Sequence, residues 1–199
     1  MSELGSADTA YVLRRLRAQN GFGLIELLMA MRMLNIGILA IVAAFNSGIV
    51  ALTRASRVTT GSVLADQQME LYRKLTYDQI ALDSTALASV DNTYKCDQAL
   101  GASCPNSTSG EATQTCSGSP LPNQCVPSRT VSGSQSPDHH PYRVDTYILN
   151  VVPVSGQSRT VRQVTVVVRD GNNLNKTLAR ETSTFDCSTG LPYSSCPTS

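Results

Sequence analysis

A single carboxylate, Glu26, lies near the start of the most apolar stretch of the sequence, residues 22–52. An ionisable side chain inside a membrane helix costs about 2.5 kcal/mol or more, so it normally has a compensating partner. The other charge in this stretch, Arg32, follows Glu26 by six residues, about 240° around a helix, so the two cannot pair within one helix. Glu26 must therefore be compensated by a cation outside its own helix or by the headgroups of a bilayer.

Six cysteines form a second group of reactive residues, and all of them follow residue 95: Cys96, Cys104, Cys116, Cys125, Cys187 and Cys196. They lie among Ser, Pro, Asn and Gly, and their number is even, which is typical of disulfide bonds formed outside the cytoplasm. Neighbouring cysteines suggest the bonds Cys96–Cys104, Cys116–Cys125 and Cys187–Cys196, although six cysteines permit 15 connectivities. A zinc site is the alternative interpretation, but no Cys-x2-Cys pair or histidine spacing supports it.

Enzymatic chemistry has no motif to support it in this sequence. His139 and His140 lie between Pro137 and Pro141, where we expect exposed turn residues without a catalytic role. Neither a Gly-x-Ser-x-Gly nucleophile motif nor a phosphate-binding loop occurs, so we expect no enzyme, no cofactor and no metal. The 16 Lys and Arg residues balance 15 Asp and Glu residues, which also predicts no nucleic-acid partner.

The N-terminal part of the chain is organised as a membrane anchor. Residues 1–21 are polar and place Arg14, Arg15 and Arg17 just before the apolar stretch, which predicts that the N-terminus stays in the cytoplasm. Residues 22–52 are long enough to span a bilayer, since about 20 residues suffice. A secretory signal would place its cleavage site after the apolar stretch, whereas the one processing point here precedes it, so we expect the stretch to be retained.

A single helix is predicted from about Phe22 to about Tyr77, because no proline occurs before Pro105 and an amphipathic pattern follows the apolar stretch. Such a helix is about 80 Å long at 1.5 Å per residue. Its apolar side beyond the membrane is expected to pack on the rest of the chain. That side contains Gly61, Leu64, Ala65, Met69, Leu71, Tyr72 and Leu75.

The remainder of the sequence predicts a long loop followed by an antiparallel sheet. Residues 78–141 form a variable cysteine-rich loop region, and residues 142–199 form a β-meander with a C-terminal disulfide loop. The expected strands cover residues 142–154, 158–169 and 174–185, separated by turn-forming residues. The predicted fold class is therefore α+β, with one long helix packed on a small antiparallel sheet and loops closed by disulfide bonds.

The sequence Gly21-Phe22-Gly23-Leu24-Ile25-Glu26-Leu27-Leu28 resembles the processing site of type IV prepilins and pseudopilins. The stretch Met33-Leu34-Asn35-Ile36-Gly37-Ile38-Leu39-Ala40 further resembles PilV-type minor pilins. The resemblance covers residues 1–77 well and the rest of the chain weakly. Gly23 stands where Thr or Ser is frequent, and the helix-breaking proline of many major pilins is absent.

This resemblance implies a pilin-like fold and a structural role. Prepilin peptidase is expected to cut after Gly21 and to methylate the new N-terminus at Phe22. Glu26 would be the assembly glutamate, which pairs with the N-terminal amine of a neighbouring subunit. The expected partners are this peptidase, other pilin subunits, the inner-membrane assembly machinery and the membrane itself. The chain would start as a single-pass protein of the bacterial cytoplasmic membrane and end in a pilus or pseudopilus outside the cytoplasm.

Alternatives remain open at this stage. The cysteine-rich loop could make the chain a filament-mounted adhesin, and a plain signal anchor with Glu26 near the headgroups is a further alternative. An anchored extracellular enzyme is a distant third. Arg32 either extends to the headgroups, which is favoured, or meets a carboxylate of a neighbouring subunit, or marks a scarce subunit.

Overall fold

The computed structural model describes residues 23–151 and 161–187 of the chain, which divides into the units Met1–Ala51 and Leu52–Ser199. The helices and strands are α1 (Leu24–Arg73), β1 (Leu82–Asp83), α2 (Ser84–Ala88), α3 (Asn92–Lys95), β2 (Thr113–Gln114), β3 (Ser128–Val131), β4 (Tyr142–Val151), β5 (Val161–Asp170) and β6 (Asn173–Phe185). The predicted α+β class is confirmed at this level: one long apolar helix packs its later turns on an antiparallel sheet.

The long helix α1 ends at Arg73, before the predicted end near Tyr77. In its last turn, the N–H groups of Lys74 and Leu75 bond to carbonyls three residues earlier, at 3.3 and 3.1 Å. A short 3-10 turn, Tyr77–Gln79, then follows. This early end brings residues 80–82 into the core, where each is at most 1% exposed. Burial of three consecutive apolar residues thus outweighs continuation of the helix.

One face of α1 is buried within the second unit. The buried residues of the helix are Thr60, Gly61, Ala65, Gln68, Met69 and Tyr72. The predicted apolar side is confirmed at Gly61, Ala65, Met69 and Tyr72, but the buried Gln68 was not predicted. Its amide nitrogen donates to the carbonyl of Asn123 at 3.1 Å, so the buried N–H group has a hydrogen-bond partner.

The main sheet has four strands in the order β3-β4-β5-β6, and every neighbouring pair is antiparallel. The three predicted strands correspond to β4, β5 and β6, within the described residues. A fourth, β3, lies inside the stretch that was predicted to be a loop. It is short and rich in polar residues, so the alternation that indicates a longer strand is weak there.

Both faces of the sheet are covered. On one face, a Cβ atom at Gly61 of α1 would lie 3.7 Å from Val168. On the other face, Tyr94 stacks on Tyr147 with ring centroids 4.3 Å apart. Val167 and Val168, which point to opposite faces, are accordingly both fully buried. The cysteine-rich segment is therefore a third layer of the second unit.

Local aspartate caps give the cysteine-rich segment its structure. Asp83 caps α2 by accepting hydrogen bonds from the N–H groups of Thr85 and Ala86, and Asp91 caps α3 through the N–H of Tyr94. Side-chain oxygens at these positions satisfy N–H groups that the first helical turn leaves unpaired. The prediction of a loop region for residues 78–141 is thus corrected: the segment holds two short helices and strands β1, β2 and β3.

Replacement of Gly61 by valine should destabilise the second unit by about 1–3 kcal/mol, because overpacking strains a filled interface. A Cβ atom added at Gly61 would lie only 3.2 Å from the Cβ of Leu178. The measurement is urea unfolding of the detergent-solubilised chain, monitored by near-ultraviolet circular dichroism.

The matched control is Gly48→Val, since a Cβ atom there meets nothing within 4 Å. Both substitutions change intrinsic helix propensity by the same amount, in the favourable direction. Equal unfolding midpoints for the two variants would contradict close packing at Gly61.

Candidate functional site

The N-terminal motif is described only from Gly23 onward. The predicted processing residues Gly21 and Phe22, and the predicted leader 1–21, lie outside the described residues. Helix α1 begins at Leu24, and the N–H of Glu26 bonds to the carbonyl of Gly23 at 2.9 Å. Glu26 therefore lies in the first turn, where the partial positive charge of a helix N-terminus favours a carboxylate.

The first part of α1 exposes a continuous apolar surface. Every residue from Gly23 to Ser56 is exposed, including Leu24 at 80% and Phe45 at 69%. The helix is long and apolar enough to cross a membrane, and its most apolar window is not buried inside the protein. Single exposed apolar residues are common, but a surface of this size is typical of a membrane or protein interface.

Glu26 and Arg32 are the two charged residues of α1 before Arg54. Within the part of the chain that the structure describes, neither side chain takes part in an ion pair. The helix continues through Gly37 and Gly48, where a Cβ atom would meet nothing within 4 Å. Residues 24–51 thus form one unbroken stretch of helix with two charged side chains that have no ion-pair partner among the described residues.

Two of the predicted disulfide bonds are confirmed. Cys96 bonds to Cys104 and Cys116 bonds to Cys125, with Cα–Cα distances of 4.6 and 6.4 Å. Cys187 is disulfide-bonded as well, but Cys196, its predicted partner, lies outside the described residues. Each disulfide bond lowers the conformational entropy of the unfolded chain, which stabilises the folded state by about 2–4 kcal/mol per bond.

A buried ion-pair network fixes the cysteine-rich segment to the sheet. Asp145 of β4, which is fully buried, accepts hydrogen bonds from the Nε atoms of Arg143 at 2.7 Å and Arg169 at 3.0 Å. Arg143 also forms a double hydrogen bond to Asp91 at 2.6 and 2.7 Å, and Arg169 bonds to Asp97. Because each buried charge has a partner on another element, the network sets the position of the segment.

The charges of the network change the pKa of Asp91, which lies at its solvent-exposed edge. The hydrogen bond from Arg143 is the main cause that lowers the pKa of Asp91 to about 2. Asp91 is half exposed, so solvent screening makes its contribution to stability small. Sequence analysis did not predict this network, because its aspartates and arginines are far apart along the chain and belong to no motif.

The second disulfide ring is attached separately. Asp83 accepts a hydrogen bond from the N–H of Cys116 at 3.0 Å in addition to capping α2. Hydrogen bonds from the backbone of Ala86 and Cys116 are the leading causes that lower the pKa of Asp83. One carboxylate thus joins the start of α2 to the ring closed by Cys116 and Cys125.

The two histidines differ, which corrects the expectation that both are exposed. His139 is exposed, but His140 is 8% exposed, and its Nε2 atom lies 2.8 Å from Asp170. The hydroxyl of Ser136 donates to the backbone carbonyl of His140, at 2.5 Å, and not to the ring. The three side chains therefore tie a turn to the end of β5 and lack the geometry of a hydroxyl nucleophile beside its base.

Cavities on the second unit are open and partly polar. Two of them have volumes of about 450 and 420 Å³. The first is lined by Asp97, Arg169 and Arg180, and the second by Asp91 and Arg143 among others. Their charged groups are already paired with one another. Among the described residues, no group of His, Cys, Asp and Glu could hold a metal ion.

A buried acid, Glu111, lies between the cysteine-rich segment and β4. Its Oε1 atom is 2.7 Å from the hydroxyl of Tyr94, which also donates to the carbonyl of Thr146 at 2.6 Å. A hydroxyl has one proton, so a protonated Glu111 satisfies both contacts by donating to Tyr94. Burial raises the pKa of Glu111 to about 7, and the hydrogen bonds that the ionised form would accept from Tyr94 and the backbone of Ile148 only partly offset this rise.

Comparison with protein-family models, with curated proteins and with solved structures yields no match.

Replacement of Glu111 by glutamine should remove a pH dependence of stability. The folded pKa of about 7 exceeds the ordinary value of 4.5, so the stabilising contribution of the protonated acid is complete below about pH 4.5. It is lost as the pH rises towards 7, with a total of up to about 3 kcal/mol. Glu111→Gln should therefore match the wild type at pH 4.5 and exceed it in unfolding free energy at pH 8.

Urea unfolding between pH 4.5 and 8 measures this difference. Glu70→Gln is the control, since Glu70 is exposed and pairs only with Arg73 on the surface of α1 among the described residues. A constant difference between Glu111→Gln and the wild type across this pH range would show that Glu111 stays ionised when folded.

Proposed function

We propose that this chain is a type IV pilin-like subunit, most similar to a minor pilin, that is assembled through α1 into a filament outside the cytoplasm. Prepilin peptidase cleaves after Gly21 and methylates Phe22. The observation that carries the proposal is that the Gly21-Phe22 sequence comes shortly before a helix whose first turn holds Glu26 and whose residues 24–52 are exposed and mostly apolar.

The physical basis of assembly is the transfer of this exposed surface between two apolar environments. In the membrane, residues 24–51 are solvated by lipid, and in a filament they would be buried against the same segment of other subunits. Little apolar surface meets water in either state, so packing and charge pairing select the position of each subunit. Glu26 supplies the charge, and the new amine at Phe22 of a neighbouring subunit supplies its counter-charge.

The second unit suits a part that remains outside the membrane. Its disulfide bonds are typical of oxidising compartments, and its ion-pair network gives the cysteine-rich segment one fixed position on the sheet. Such a unit can be carried on a filament without refolding when the anchor leaves the bilayer.

An adhesin mounted on a filament is the second candidate. The ring closed by Cys96 and Cys104 contains residues 101–104, which are all exposed. A rigid, exposed ring is a surface that could bind a ligand at low entropic cost. Normal filaments with lost adhesion after deletion of the gene would favour this role, and lost filaments would favour the structural one.

Replacement of Glu26 by glutamine should leave cleavage after Gly21 intact and reduce incorporation into filaments at least about tenfold, because one charge pair of more than about 1.4 kcal/mol is removed. The measurement compares the amount of the variant in sheared filaments with the amount in membranes. Glu70→Gln is the control, because it changes an exposed carboxylate of the same helix outside the apolar segment. Equal incorporation of both variants would contradict the role of Glu26.

A further inference from the structure

The apolar part of α1 carries two opposite charges that it cannot pair by itself. Glu26 and Arg32 are the charged residues between Leu24 and Ala51, both are exposed, and neither has an ion-pair partner among the described residues. They are six residues apart, which corresponds to about 9 Å along the helix axis and about 240° around it. Each side chain therefore points away from the other.

The depth of Arg32 makes compensation by headgroups costly. Arg32 is eight residues from the first residue of α1 and 22 residues before Arg54. With the first residue of α1 at the edge of the hydrocarbon core, eight residues place Arg32 about 12 Å deep, near the middle of a core of about 30 Å. An arginine at this depth costs at least about 2.5–3.5 kcal/mol without a partner. Charge complementarity with Glu26 is the compensation that the same helix offers in a second copy.

We propose that Arg32 of one copy pairs with Glu26 of a second, parallel copy of this chain, shifted by about 9 Å along the helix axis. The inference rests on the proposed function, which places several anchors side by side in one membrane. Arg32 would then be a second cation that pairs with Glu26, in addition to the amine at Phe22. A carboxylate has two oxygens with about four acceptor positions, so Glu26 can accept hydrogen bonds from both cations.

The contact would propagate. Because Glu26 and Arg32 lie on different faces of α1, the surface that a copy offers to the next one differs from the surface that it offers to the previous one. A head-to-tail contact of this kind does not close into a two-fold dimer and instead continues as an open row. The pair thus sets both the direction and the axial step of self-association.

The first test measures association of two differently tagged full-length copies in a host without prepilin peptidase. Uncleaved chains have no amine at Phe22, so association through Glu26 must use another cation. Three combinations are compared with the wild type: Glu26→Gln with itself, Arg32→Gln with itself, and Glu26→Gln with Arg32→Gln. Each variant with itself lacks the pair, whereas the mixed combination retains one Arg32–Glu26 pair.

Cross-linking reports the register directly. Ala30 lies one turn after Glu26 and Ile36 lies one turn after Arg32, so the same axial shift brings these two positions together. Oxidation should link a copy carrying Ala30→Cys to a copy carrying Ile36→Cys. The controls, Ala30→Cys with itself and Ile36→Cys with itself, should not cross-link.

The expected result is a loss of at least about tenfold in the cross-linked fraction when both copies carry Arg32→Gln or both carry Glu26→Gln, as loss of 1.4 kcal/mol or more implies. The mixed combination should restore it. Two results would overturn the proposed pair. One is a cross-linked fraction equal to that of the wild type when both copies carry Arg32→Gln, and the other is no recovery of the cross-linked fraction in the mixed combination. The proposed function is tested separately, because cleavage after Gly21 is measured by mass. If cleaved chains are found in filaments, the proposed function holds even when either of these results excludes the pair.

Discussion

The second unit depends on the buried carboxylate of Asp145, which joins Arg143 to Arg169 and through them reaches Asp91 and Asp97. Charges inside a protein are tolerated only with partners in good geometry, so the cysteine-rich segment has one position on the sheet that satisfies all of them. This requirement, together with the stacking of Tyr94 on Tyr147, turns a stretch rich in Ser, Gly and Pro into a fixed layer. The disulfide rings shorten the loops of that layer but do not by themselves place it.

Because the sheet is covered on both faces, the second unit satisfies its own apolar surface. Its core uses the later turns of α1, from Thr60 to Tyr72, on one side of the sheet. Residues 24–51 take no part in this core and expose leucine, isoleucine, methionine and phenylalanine side chains. Their burial requires lipid or other proteins, which is the property that a filament subunit with a membrane-embedded precursor needs.

Long, periodic features could be predicted from the sequence, and features made by distant contacts could not. The helix, strands β4 to β6 and two disulfide bonds follow from apolar runs, alternation and neighbouring cysteines, all of which are local patterns. The aspartate caps were also local, but Asp83 and Asp91 precede helices of only five and four residues, too short for a periodic signal. The burial of His140 beside Asp170, of Gln68 against Asn123 and of Glu111 against Tyr94 depends on tertiary pairing, which no spacing in the sequence encodes.

The proposed function requires that an anchored precursor is cut before Phe22 and assembled through Glu26. The most direct measurement is the intact mass, reduced and non-reduced, of the chain recovered from sheared filaments and from membranes of the same cells. The proposed function predicts a filament-associated species that begins at methylated Phe22 and is lighter by six hydrogens than its reduced form. A full-length chain found only in membranes would contradict the proposed function and indicate a signal-anchored surface protein.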